Sequence, residues 1–165
     1  MKKYYVLILV SFLIFYLGIF LAPYFAFLGE HSNFWKLISI CFYSIYSPIC
    51  HQMPQRSFFI FGHKMAVCAR CFGIYTGFLI GMLIYPFFKK LDDFKIPNRW
   101  YLIISSIPMA VDGTTQLIGL RESFNELRFI TGFIVGFTIT FYILPIFFKL
   151  LSKYKIKHAN IKIYK

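Results

Sequence analysis

The sequence predicts an all-α integral membrane bundle, and three observations carry that prediction. Hydrophobic residues fill 59% of the 165 positions and charged residues only 15%, against about 45–50% and about 25% in soluble domains. Mean hydropathy is +0.66. The charges are also clustered, leaving four apolar stretches near the ~20 residues that a crossing needs. A chain this short cannot hide so much apolar surface in one core. A soluble enzyme and a disordered tail are excluded. In this setting the net charge of +12 does not read as a nucleic-acid binder.

Residues 4–28 contain no charge. Lys2 and Lys3 precede them as in a signal peptide, but the run exceeds the about 7–15 residues of a signal core. No clear small-x-small cleavage site follows, so it is expected to stay as the first span. Residues 34–49 are apolar but short, with Lys36 and three serines, and are expected to form an interfacial or re-entrant helix. Residues 67–88, 100–120 and 129–148 complete the set, with Arg70 and Asp112 as their only charges. The expectation is one membrane domain, 1–148, with four spans, followed by a basic cytoplasmic tail, 149–165.

Charge bias orients this bundle in the cell membrane. With both termini cytoplasmic, Lys2, Lys3, Lys89, Lys90, Lys95, Arg99 and the lysines from Lys149 onward share the inner side, as the positive-inside rule requires. A fifth crossing at 34–49 would put the 89–99 loop and the tail outside. Arg56, Arg70, Arg121 and Arg128 then face the other way. Arginine suits bidentate anion binding or buried ion pairs, and snorkelling to outer headgroups is the plainer alternative.

Residues 50–77 read CHQMPQRSFFIFGHKMAVCARCFGIYTG. Cys50 and His51 from a loop, with Cys68 and Cys71 at a helix start, offer a tetrahedral thiolate/imidazole set for zinc, or alternatively iron. His63 is a possible further ligand. A helix N-terminus also favours thiolates. Two other readings stay open: a C-x-x-C disulfide outside the cytoplasm, or inert buried thiols. On a helical wheel Cys68, Cys71 and Tyr75 share one face, with Gly73, Gly77 and Gly81 opposite. Such a small-x-x-x-small stripe admits a close neighbour helix. Arg70 lies nearer the glycine side and is expected to meet a carboxylate on another span. Cys41 is expected to be buried, and His31 and His158 to lie on the surface.

Cys50-His51-Gln52, Pro54, Arg56-Ser57, Gly62 and Cys68-x-Arg70-Cys71-x-Gly73-Ile74-Tyr75-x-Gly77 form one block. Asp112-Gly113-x-x-Gln116, Gly119, Arg121, Ser123, Asn125, Arg128 and Thr131-Gly132 form a second. Together they resemble a family of prokaryotic integral membrane proteins of unknown function. The resemblance implies a small multi-span protein and no particular activity.

Asp112 sits roughly 18 Å along its span at about 1.5 Å per residue, where a carboxylate is costly and needs a partner. Arg128 is the expected one. Gln116 follows one turn later on the same face, and Pro108 is expected to kink the helix. Ser123 and Glu126 match a capping box. Asp112, Gln116 and Arg128 are therefore the candidate catalytic residues, with Arg56, Arg70, Arg121 and Asn125 for an anion. Three functions follow. One is a metalloenzyme acting on a lipid-phosphate-like or small anionic substrate. Another is a small transporter, channel or accessory subunit, and the last a thiol–disulfide oxidoreductase using Cys68 and Cys71. The lipid bilayer is the expected partner, with no nucleic acid, and transport with four spans would call for a homo-oligomer.

Overall fold

The chain threads through five helices, and glycine decides which two lie closest. The computed structural model describes residues 2–163, with side chains described through Tyr154. Its helices are α1 (Lys2–Leu28), α2 (Asn33–Tyr46), α3 (Ala69–Phe88), α4 (Arg99–Leu117) and α5 (Asn125–Ile163). A short 3-10 turn, Pro54–Arg56, and a hairpin of β1 (Phe59–Ile60) and β2 (His63–Lys64) lie between α2 and α3.

The most extensive packing is between α3 and α5, which run in the same direction. Gly73 and Gly77 face the carbonyl oxygens of Phe129 and Phe133, while Gly132 and Gly136 face those of Arg70 and Ile74. A methyl group at any of these four would overlap backbone. The stripe expected on α3 is thus matched by a second on α5, as in small-x-x-x-small pairs generally. Thr140, fully buried, extends the seam by donating to Phe78 O at 3.3 Å and Gly136 O at 3.0 Å.

Helix α1 packs antiparallel to α3. Tyr5 OH donates to Met82 O at 2.5 Å, Phe12 meets Phe78 at 4.9 Å, and Phe15 meets Tyr75 edge-on at 5.2 Å. Helix α2 then folds back along the second half of α1. Trp35 stacks on Phe25 at 5.4 Å, Ser39 Oγ donates to Ala22 O at 3.0 Å, and Tyr46 OH donates to Phe15 O at 2.5 Å. Its inner face explains a correction. Ser39 and Tyr46 are buried, but Cys41 points the other way and is exposed rather than buried.

Among the described residues, three helices are long and apolar enough to cross a membrane: α1, α3 and α5 as far as Tyr154. Helix α4 has 19 residues but is diluted by Arg99, two serines, two threonines, Asp112 and Gln116, so it falls short on apolarity. It runs unbroken through Pro108 and stops at Leu117, not at 120. Gly119 takes φ +74°, and its N–H and that of Leu120 return to Gln116 O and Thr115 O at 3.2 and 3.0 Å. This is a Schellman stop. At the other end, the Asn98 side chain accepts from Trp100 N–H at 3.2 Å.

Two further expectations shift. Helix α5 contains the span expected at 129–148 but runs from Asn125 to Ile163, so the basic tail prolongs the last helix. His158 lies outside the described side chains. The loop between α2 and α3 contains the hairpin, which the all-helical expectation omitted. Phe61 and Gly62 both take positive φ (52° and 76°), as a type I′ turn demands. Phenylalanine is unusual there, but its ring packs on Phe27 at 5.4 Å and Tyr24 at 6.2 Å.

Candidate metal centre

The chain delivers Cys50 just past the end of α2, with its N–H on Tyr46 O at 3.1 Å. Gln52 adopts φ 51°, and that left-handed step turns its own N–H back to Cys50 Sγ at 3.5 Å. Cys68 is the N-cap of α3, and its N–H reaches the same sulfur at 3.1 Å. One turn on, Cys71 Sγ lies 3.4 Å from Cys68 Sγ. All three sulfurs fall within 4.8 Å of one another. Thiolates 2.3 Å from a tetrahedral zinc stand about 3.8 Å apart, so the cluster fits an ion with little adjustment. Hydrogen bonds from the Cys68 and Cys71 thiols, with the two amides, hold the Cys50 thiol well below the usual cysteine range.

A clasp behind Cys50 fixes Gln52. Lys64 Nζ donates to Gln52 O at 2.9 Å, Gln52 Nε2 donates to Tyr43 O at 2.7 Å, and Tyr43 OH donates to Lys64 O. The Lys64 ammonium also lies 5.7 Å from the Tyr43 ring centroid. The hairpin therefore ties the α2 end to the cysteine loop. Sequence reading missed this trio, because only the unforeseen hairpin brings Lys64 back to Gln52.

The sulfurs line a cavity of about 220 Å³, together with Ile49, His51, Gln52, Met53 and Arg56. His51 is exposed and lies on the cavity wall, outside the group of three sulfurs. His63 is not with the cysteines. It pairs with Glu30 Oε1 at 3.0 Å, joining the hairpin to the α1–α2 corner.

A second cluster lies at the same end, at the heads of α3 and α5. Asp112, only 1% exposed, binds Arg70 Nη2 through Oδ2 at 2.5 Å and Arg121 Nη2 through Oδ1 at 2.8 Å. The expected Arg70–carboxylate pair is present, but Arg128 is not the partner of Asp112. The Schellman stop reverses the chain within two residues and throws Arg121 back onto Asp112 and Thr115 Oγ1. Arg128 Nη1 turns instead to Asn125 Oδ1 at 2.8 Å and Gln55 O at 3.5 Å. Asn125 Nδ2 in turn donates to Ser57 O at 3.2 Å, so α5 holds the turn that carries Arg56. Ser123 is buried beside Asp112, and with α5 starting at Asn125 the capping box does not form. The Gln116 side chain has no hydrogen-bonding partner among the described residues; its backbone carbonyl is engaged by the Gly119 N–H.

Residues 50–142, more than half of the chain, match the family described as Predicted membrane protein (DUF2085). The chain belongs to this family. The DUF2085 match begins at Cys50 and takes in every residue of both clusters. An uncharacterised protein of Methanocaldococcus jannaschii is 83% identical over 153 residues, covering 93% of this chain and 98% of the relative. One from Methanothermobacter thermautotrophicus is 42% identical over 94 residues, covering 53% of this chain and 78% of the relative. No solved structure matches the chain.

Proposed function

We propose that this protein is a multi-pass membrane metalloprotein whose Cys50, Cys68 and Cys71 hold zinc, or alternatively iron, at an extracytoplasmic cavity. The observation that carries the reading is the convergence of three sulfurs, one already taking two backbone N–H groups, on the wall of an open cavity. A closed structural zinc has four protein ligands, whereas a reactive one keeps a position free. Three cysteines with His51 outside the group favour the second kind. Arg56 beside the apolar Ile49 and Met53 suits an anionic, amphiphilic substrate of the lipid-phosphate class. In this reading α4 is a fourth crossing, its polar face turned inward through Asp112, and α2 is a re-entrant helix. The lysine-rich end, around Lys2, Lys89 and Lys90, is cytoplasmic.

The alternative is a thiol–disulfide oxidoreductase, favoured by the 3.4 Å approach of Cys68 and Cys71 at a helix start. Elemental analysis with thiol counting separates the two. About one metal per chain is expected, lost in Cys71→Ser; no metal in protein whose Cys68 and Cys71 are blocked would sink the metal reading. Transport is the remaining alternative: proton or ion flux in vesicles that Asp112→Asn leaves unchanged would count against it.

The clasp supplies a finer test. Removing a partner that orients a metal ligand costs about 10–100-fold in affinity. Lys64→Met should weaken metal binding by about that much in a competitive chelator titration, with helix content unchanged. Wild-type affinity in Lys64→Met would restrict the clasp to a structural role.

A further inference from the structure

The arginine cluster carries more positive charge than its one carboxylate can answer. Arg56, Arg70, Arg121 and Arg128 stand against Asp112, a formal excess of +3 (four cations less one anion). Both Asp112 oxygens are taken, by Arg70 and Arg121. Glu122 and Glu126 are exposed and form no ion pair among the described residues. Arg128 is therefore a cation 5% exposed with no carboxylate partner, and such a group is strongly unfavourable unless something anionic meets it. Among the described residues only its Nη1 is bonded, to neutral oxygens, while Nε is buried without a partner. The Nε of Arg70 is orphaned in the same way. Arg56 and Arg70 both lie within electrostatic reach of Arg128, and Asp112 and Cys68 act on it from a distance in the opposite sense without pairing with it.

We propose that the heads of α3 and α5 form a binding site for a phosphoryl anion, centred on Arg128 and shared by Arg56 and Arg70. Two guanidinium groups with free donors match oxygens held in a fixed fork, the geometry of phosphate recognition. A phosphoryl dianion answers an excess of +3 better than a carboxylate or halide does. Arg56 links this site to the cysteine cavity, since it also lines that wall. Asp112 then has a definite part: it fixes Arg70 and Arg121 and forms no ion pair with Arg128. The inference rests on the reading above for the anionic class of ligand, and does not need the metal. A free phosphate and a lipid headgroup present the same group.

The test is calorimetric titration of the full chain in detergent with inorganic phosphate and, separately, with dihexanoyl phosphatidic acid. Metal content is measured on the same samples. Saturable binding is expected for at least one probe, weakened about tenfold or more by Arg128→Gln and by Arg56→Gln. Phosphate binding alone assigns a free anion, and phosphatidic acid alone assigns a lipid headgroup. Should Arg128→Gln fail to fold, Arg56→Gln decides, because Arg56 is exposed. No saturation with either probe at millimolar concentration would overturn the site, as would binding indifferent to both substitutions. Phosphate binding by protein that holds no metal and whose Cys68 and Cys71 are blocked would sink the metal centre and leave this site standing.

Discussion

Gly136→Leu is expected to prevent α3 and α5 from docking, with a large loss of stability. A Cβ at Gly136 overlaps the carbonyl oxygen, carbon and Cα of Ile74. These are backbone atoms, so no rotamer change on α3 gives relief. Overpacking a core costs typically about 1–3 kcal/mol when side chains can shift. Here they cannot, and the cost for leucine should exceed about 3 kcal/mol. The damage extends to the site, because separating α5 from α3 draws Asn125 and Arg128 away from Ser57 and Gln55. Thermal unfolding in detergent checks this, with Gly113→Ala as the control. A Cβ at Gly113 meets only Arg70 Nη1, at 3.5 Å, and alanine in a helix is favoured over glycine by about 0.5–1 kcal/mol. Gly136→Leu must fall far below wild type while Gly113→Ala stays level or rises. Equal effects would refute the close-approach account of this seam.

That seam was legible in the sequence because a four-residue glycine spacing on a helix has one geometric meaning. The C-x-x-C pair was legible for the same reason, since a single helical turn fixes Cys68 beside Cys71. The partner of Asp112 was not. A wheel gives the face a residue occupies, but not the height of one helix against the next. That height depends on where α4 stops, and Gly119 stops it three residues before the apolar run ends. Arg121 is thereby returned to Asp112, and Arg128 is left to the 54–57 turn. The hairpin escaped for a different reason. Its strands have two residues each, and its turn places a phenylalanine at positive φ, so neither alternation nor the usual Asn-Gly or Asp-Gly signal was there to read. Without the hairpin, Lys64 and His63 had no visible destinations. Lys64 orders Gln52 behind Cys50, and His63 goes to Glu30.

Asp112→Asn is expected to unlatch α4 while leaving the α1–α3–α5 core assembled. Asp112 is the only buried residue of α4, and its two ion pairs join that helix to Arg70 on α3 and to the returning chain at Arg121. The amide is nearly isosteric, so the change isolates charge from packing. Breaking a buried pair costs about 3–5 kcal/mol because the remaining cation stays desolvated. The Arg121 side chain is 44% exposed, so its share is screened, and about 3 kcal/mol is the expected total. The loss should be local. Hydrogen exchange followed by mass spectrometry should quicken across 99–124 and stay slow in α3 and in the α5 stretch that faces its glycines. The double substitution Asp112→Asn with Arg70→Gln should be less destabilised than the two single losses added together, since it removes the stranded cation as well as its partner. Strict additivity would mean that Asp112 and Arg70 are not coupled, and uniform exchange throughout would mean that α4 is held by something other than this latch.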